Sequence, residues 1–241
     1  MVTVSAYTRP ATIDDALELL TWSGAVVLAG GTRLGGDTST DRVEVVDLQA
    51  LHLDGIRAEG EHLLRIGAMT RLQQLVDDDR VPEVVREAAR RERPSTLRAQ
   101  GTLGGCVATA DPESELLAAM LVHEAVVRVE SSEGVEEVPL ETLLADLPLG
   151  PGRVLTAVSV RTDGTAAAAH TARTPADRAI VAAFARTTGE GRRIALTGVA
   201  ATPVLVQPGD ELDPTADFRG SSEYRRALAD VLTDRVVEAI S

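Results

Sequence analysis

The chain has 241 residues, 37 of them acidic and 24 basic, giving a formal net charge of −13, and every basic residue is Arg. A field of that sign repels nucleic acid and anionic membrane, and the absence of Lys removes Schiff-base chemistry and a Walker-type phosphate lysine. The single cysteine, Cys106, excludes an internal disulfide and any iron–sulfur or zinc cluster held by this chain alone.

In chain order, the leading segment Met1–Tyr7 has neither a basic region nor a signal-like apolar core, which leads us to expect a cytoplasmic protein. Thr12-Ile13-Asp14-Asp15 resembles a capping box that opens a helix through Leu20, and Ala25–Leu28 is a short apolar strand running into Gly30-Gly31. Val43–Leu48 and Leu63–Ile66 read as buried strands. Thr70 and Gln73 suggest a second capping box for a helix to about Asp78, and Pro82 opens another through about Arg90. The charged, Pro94-containing stretch Arg91–Arg98 reads as a loop into the turn Thr102-Leu103-Gly104-Gly105. Asp111-Pro112 starts a helix to about Leu121, followed by a strand from Ala125 to Val129 and a turn at Glu133-Gly134. Leu147–Gly152, rich in Pro and Gly, is the linker candidate. Beyond it we expect strands at Val154–Arg161, Ile180–Arg186 and Ile194–Ala200. A closing amphipathic helix carries Tyr224, Leu228, Val231, Leu232, Val236 and Ile240 at helical spacing. Ala166–Ala169 is a low-complexity tract. No apolar run approaches the roughly 18 residues needed to span a bilayer, so no membrane insertion is expected.

The common signatures of dinucleotide, P-loop, hydrolase and zinc-protease chemistry are absent, and His52, His62, His123 and His170 lack ligand-like spacing, so neither catalytic nor metal residues are assigned. What remains is a pair of glycine turns, Ala29-Gly30-Gly31-Thr32 and Thr102-Leu103-Gly104-Gly105. A diphosphate can be met by cationic side chains or by several backbone N–H groups at close range. The second route demands residues with no side chain in the way and access to positive φ. Each turn alone also fits an ordinary tight turn.

With their surroundings the turns say more. Tyr7-Thr8-Arg9-Pro10-Ala11-Thr12, Leu28-Ala29-Gly30-Gly31-Thr32, Val46-Asp47-Leu48, Ile66-Gly67-Ala68-Met69-Thr70, Gln100-Gly101-Thr102-Leu103-Gly104-Gly105 and Phe218–Arg226 follow one another as landmarks. In that order the chain resembles the FAD-binding medium subunit of molybdenum hydroxylases, the carbon monoxide dehydrogenase and xanthine dehydrogenase type.

The resemblance implies an α/β (α+β) fold. A two-subdomain FAD-binding domain of the vanillyl-alcohol-oxidase type would span residues 1–148, in parts of about 1–57 and 58–148. A small C-terminal domain of antiparallel sheet plus helices would span 153–241. It implies FAD as cofactor, with Ala29, Gly30, Gly31, Thr32 and Arg33 in one loop, Thr102, Leu103, Gly104, Gly105 and Cys106 in the other, and Glu115 near the flavin. It implies an oxidoreductase subunit of a heterotrimer, or its dimer, that takes electrons from 2Fe–2S clusters on a small subunit. Those clusters are fed by a molybdopterin site on a large subunit, and the flavin passes electrons to an external acceptor. A side chain placed at Gly31 or Gly104 is expected to displace FAD. Several positions depart from the family pattern: Cys106 stands where Asn is usual, Ala99 replaces a frequent Asn, Arg33 and Glu115 stand where Asp is frequent, and Arg178 follows Asp177 in place of an aromatic residue. The alternative these departures support is a flavin-weak or flavin-free assembly subunit of the same complex; a stand-alone flavin reductase is a minor third reading.

Overall fold

Three β-sheets and the helices between them organise the chain, in a computed structural model that describes residues 3–33, 42–174, 177–207 and 209–241. Met1 and Val2 of the leading segment lie outside the described residues. The first unit comprises β1 (Thr3–Thr8), α1 (Ile13–Leu19), β2 (Ala25–Leu28) and β3 (Arg42–Asp47), with the strands parallel in the order β1-β3-β2. Thr12 caps α1 by accepting the Asp15 amide at 3.2 Å, and Asp14 and Asp15 complement the positive end of the helix. The helix buries Ala16 and Leu17, with Leu20 beyond it, against Val46, Leu48, Met69 and Val154.

The second unit begins with β4 (Ile56–Ala58), β5 (Leu63–Gly67), α2 (Leu72–Asp77), α3 (Glu83–Glu92), α4 (Ser95–Arg98), α5 (Leu103–Thr109) and α6 (Glu115–Val122). It continues through β6 (Val126–Ser131), β7 (Gly134–Pro139), α7 (Leu140–Ala145) and β8 (Arg153–Arg161), forming a five-stranded sheet ordered β4-β5-β8-β6-β7. The sheet moves the expected domain boundary. β8, which follows the linker candidate, pairs with both β5 and β6, so the break drawn between 148 and 153 falls inside this unit.

The last unit has β9 (Thr165–Thr171), β10 (Val181–Thr188), β11 (Gly191–Thr197), β12 (Val204–Val206) and α8 (Ser222–Ala239), the strands antiparallel in the order β12-β11-β10-β9. Its sheet is buried on both faces. One face, with Val181, Ala183 and Leu196, meets Ala229, Leu232 and Val236 of α8; the other, with Ala182, Phe184 and Ala195, joins the cluster around α6. Every residue of α6 is buried, which explains why Glu-Leu-Leu-Ala-Ala-Met-Leu-Val shows no amphipathic stripe.

Local chemistry shifts two expected boundaries. The Asp111 carboxylate accepts the Glu113 amide at 3.0 Å in a turn, so α6 starts only after Ser114, whose Oγ caps the Leu117 amide at 3.2 Å. Thr70 bonds back to the Gly55 amide at 3.0 Å, leaving Arg71 as the cap of α2, its amide donating to Gln74 at 2.8 Å. Among the described residues no helix is long and apolar enough to cross a membrane, and no cluster of three His, Cys, Asp or Glu could hold a metal.

Candidate functional site

Both glycine turns open onto one cleft of about 370 Å³. Ala29, Gly30, Gly31, Thr32 and Arg33 form one lip, and Thr102, Gly104, Gly105 and Cys106 the other; Leu48, Met69, Leu149 and Leu155 supply apolar wall. The first turn leaves β2, and β2 pairs with β3 so that Leu28 lies opposite Asp47. The second turn begins α5, whose Thr102 cap accepts the Gly105 amide at 3.2 Å. The lips touch: a Cβ at Gly30 would overlap the Gln100 carbonyl oxygen, and Arg71 donates to that same carbonyl.

The two turns use their backbones differently. Gly31 adopts φ +72°, a conformation that favours glycine, and a Cβ there would meet only Leu28 Cδ1, at 3.5 Å. Among the described residues the amides of Gly30, Gly31 and Thr32 have no protein acceptor. In the second turn the amides from Leu103 to Cys106 are all engaged. Leu103 N–H donates to Thr70 O at 3.0 Å, Gly104 N–H to Ala68 O at 2.8 Å, Gly105 N–H to Thr102 Oγ1, and Cys106 N–H to Thr102 O at 3.1 Å. Gly104 therefore serves close packing of α5 on the end of β5: a Cβ there would stand 2.9 Å from Ala68 Cβ. This corrects the expectation that both backbones offer their glycine amides to one diphosphate: those of Gly104 and Gly105 are already bonded, whereas those of Gly30 and Gly31 have no acceptor among the described residues.

Two residues of the expected set lie off the cleft. Leu103 is fully buried in the core around α6, because its position at the start of α5 turns the side chain inward. Glu115 sits on α6 with its carboxylate forked onto Arg91 Nε, 3.1 Å from each oxygen. Conversely, charged residues not singled out from sequence line the cleft: Glu92 and Arg93 at the end of α3, Asp111 after α5, and Arg153 of β8. For Glu92 the signal was present, since Val85, Ala88, Ala89 and Glu92 share one helical stripe, all buried.

Charge around the cleft is organised by arginine. Arg178 Nη1 lies 2.9 Å from Asp111, and Arg219 Nη1 lies 2.7 Å from Glu113 while Nη2 donates to the Ala179 carbonyl at 2.6 Å. Hydrogen bonding and the charge of Arg178 outweigh burial and hold the Asp111 carboxyl below the usual range. Burial pushes the Cys106 thiol well up, so it is a neutral wall atom rather than a nucleophile. No aromatic side chain lines the cleft among the described residues.

Comparison with known proteins agrees with this geometry. The family described as FAD binding domain in molybdopterin dehydrogenase matches residues 3–161. The uncharacterized protein YgfM of Escherichia coli is 33% identical over 95% of this chain and 93% of its own length. The carbon monoxide dehydrogenase medium chain of Afipia carboxidovorans is 31% identical over 96% of this chain and 95% of its own. Among solved structures, the Cu,Mo-CO dehydrogenase in its cyanide-inactivated form superposes with a TM-score of 0.86 at 29% identity, covering 100% of this chain and 98% of the other.

Proposed function

This chain belongs to the family of FAD-binding domains of molybdopterin dehydrogenases, and from that premise we propose that it carries electrons from 2Fe–2S clusters of a small partner chain to an external acceptor. It is an FAD-binding subunit of an oxidoreductase of the molybdenum hydroxylase type. In our reading it works in the cytoplasm within a heterotrimer whose large chain bears molybdopterin, and residues 1–161 form the cofactor unit to which 162–241 is attached.

The observation that carries the cofactor assignment is the first turn: amides at Gly30, Gly31 and Thr32 with no acceptor among the described residues, a positive-φ glycine whose Cβ position meets only Leu28, and Arg33 beside them. Such a cradle fits a diphosphate, and the neighbouring Leu48, Met69 and Leu155 fit apolar ring surface. We assign Ala29, Gly30, Gly31, Thr32 and Arg33 to the phosphates; Gly105 and Cys106 bound the opposite wall, which Thr102 and Gly104 hold in place. When bound, FAD supplies the capacity to take electrons one or two at a time and release them to a different acceptor. The protein's part is to orient the cofactor and shield it, a task that needs proximity rather than a catalytic side chain.

The test is cofactor content. The purified chain should be yellow, with about one FAD per chain, and its flavin should be reduced when its iron–sulfur partner is supplied with electrons. Gly31→Val should lose flavin while circular dichroism stays native, because a β-branched side chain at φ +72° distorts the turn and crowds the cradle. A folded wild-type protein that stays colourless with added FAD would overturn this reading in favour of an assembly subunit.

A further inference from the structure

One buried carboxyl, that of Glu92, stands in the cleft wall apart from the phosphate cradle's own residues. Glu92 ends α3 on its buried stripe and is only 4% exposed, although a buried carboxylate ordinarily has a cation against it. Among the described residues no arginine reaches ion-pair distance of Glu92. Arg91 is turned to Glu115, and Arg93 and Arg178 are turned to Asp111, at 3.8 and 2.9 Å. Glu92 Oε2 accepts the Ser114 hydroxyl at 2.9 Å and faces the Leu116 amide at 3.4 Å, while Oε1 has no protein partner among the described residues. The groups close enough to act on it are Arg93 from its own helix end, Cys106 of α5, Ser114 and the Leu116 amide at the start of α6, and Arg178 from the loop before β10. Burial is the dominant influence and moves the carboxyl above its usual range; Ser114, Arg178 and Arg93 only partly offset it.

We propose that Glu92 is the proton-bearing wall residue of the cofactor cleft, standing as a neutral carboxylic acid when FAD is bound, so that binding takes up one proton at this side chain. The inference rests on the FAD reading of the cleft. Glu92 and the first turn line the same cleft, so an ionised carboxylate there and an anionic diphosphate disfavour each other, and by reciprocity cofactor binding favours protonation. The proton comes from water and forms an O–H bond on the carboxylate; no electron moves. The neutral acid then offers a donor to the cofactor where the carboxylate could only accept.

The experiment is titration of the flavin-free full chain with FAD across about pH 5.5 to 8.5, by flavin fluorescence and by calorimetry in two buffers of different ionisation heat. The wild type should take up close to one proton per FAD in the part of this range where Glu92 is ionised before binding. Its Kd should rise there by up to about tenfold per pH unit, and Glu92→Gln should bind with a flat profile. Binding without proton uptake, or an unchanged slope in Glu92→Gln, overturns the inference. If Glu92→Gln does not fold, the buffer dependence of the wild-type heat decides alone. Absence of FAD binding at every pH would instead overturn the cofactor reading on which this rests.

Discussion

Gly104 shows how one residue type serves two purposes in one cleft. Gly31 is glycine because the first turn needs positive φ and an open approach, whereas Gly104 is glycine because α5 lies directly on Ala68. Sequence alone marks both, since a pair of adjacent glycines looks the same in either role. It does not say which amides are already bonded, because Ala68 and Thr70, the partners of Gly104 and Leu103, lie more than thirty residues away in the chain. The expectation of flavin displacement at Gly104 is therefore replaced by one of lost stability. Gly104→Val should cost roughly 1–3 kcal/mol from overpacking, measured by urea unfolding of the flavin-free protein. Unfolding unchanged in Gly104→Val would overturn this packing role.

At the scale of elements, most of the regular structure was legible where hydrophobic patterning and caps agreed. Ala25–Leu28, the Thr12-capped α1 and the Ser221-capped α8 follow their local signals. β9 did not, because the alanine tract has no alternation and becomes a strand only through pairing with β10. β1 and β7 were missed for the same reason: they are mostly exposed strands held by one neighbour each. α6 adds a pH dependence at its C-cap. His123 is buried there, its Nδ1–H donating to the Arg161 carbonyl at 2.7 Å, while Nε2 has no partner among the described residues. Burial lowers its pKa to about 4. The unfolded chain thus gains a proton below about pH 6.5 that the folded chain takes up only near 4, so this stabilisation is present above pH 6.5 and lost as pH falls toward 4. The loss should reach about 3 kcal/mol, read as the difference in urea-unfolding pH profile between wild type and His123→Gln. Parallel profiles for the two proteins would contradict it.

At the scale of the whole molecule, the linker composition at Leu147–Gly152 suggested two separable domains, and the packing shows a core shared across that boundary. Pro and Gly there mark a turn between α7 and β8, not a hinge, because β8 returns to the sheet that β5 and β6 began. Ala182, Phe184 and Ala195 of the C-terminal sheet share a core with α6 and the middle sheet, and Arg178 and Arg219 clasp Asp111 and Glu113 across the same junction. Calorimetry should accordingly give one unfolding transition for the full chain, with equal calorimetric and van't Hoff enthalpies. Two resolved transitions would show that the C-terminal sheet melts on its own.

The complete burial of α6 carries this further. A helix with no solvent-facing side cannot be finished by either neighbour alone, so removal of the last eighty residues would leave the flank of α6 that packs on β10 and β11 open to water. The flavin compartment is thus not a detachable cassette: a fusion or transplant that stops at residue 161 should yield insoluble material rather than a smaller flavoprotein.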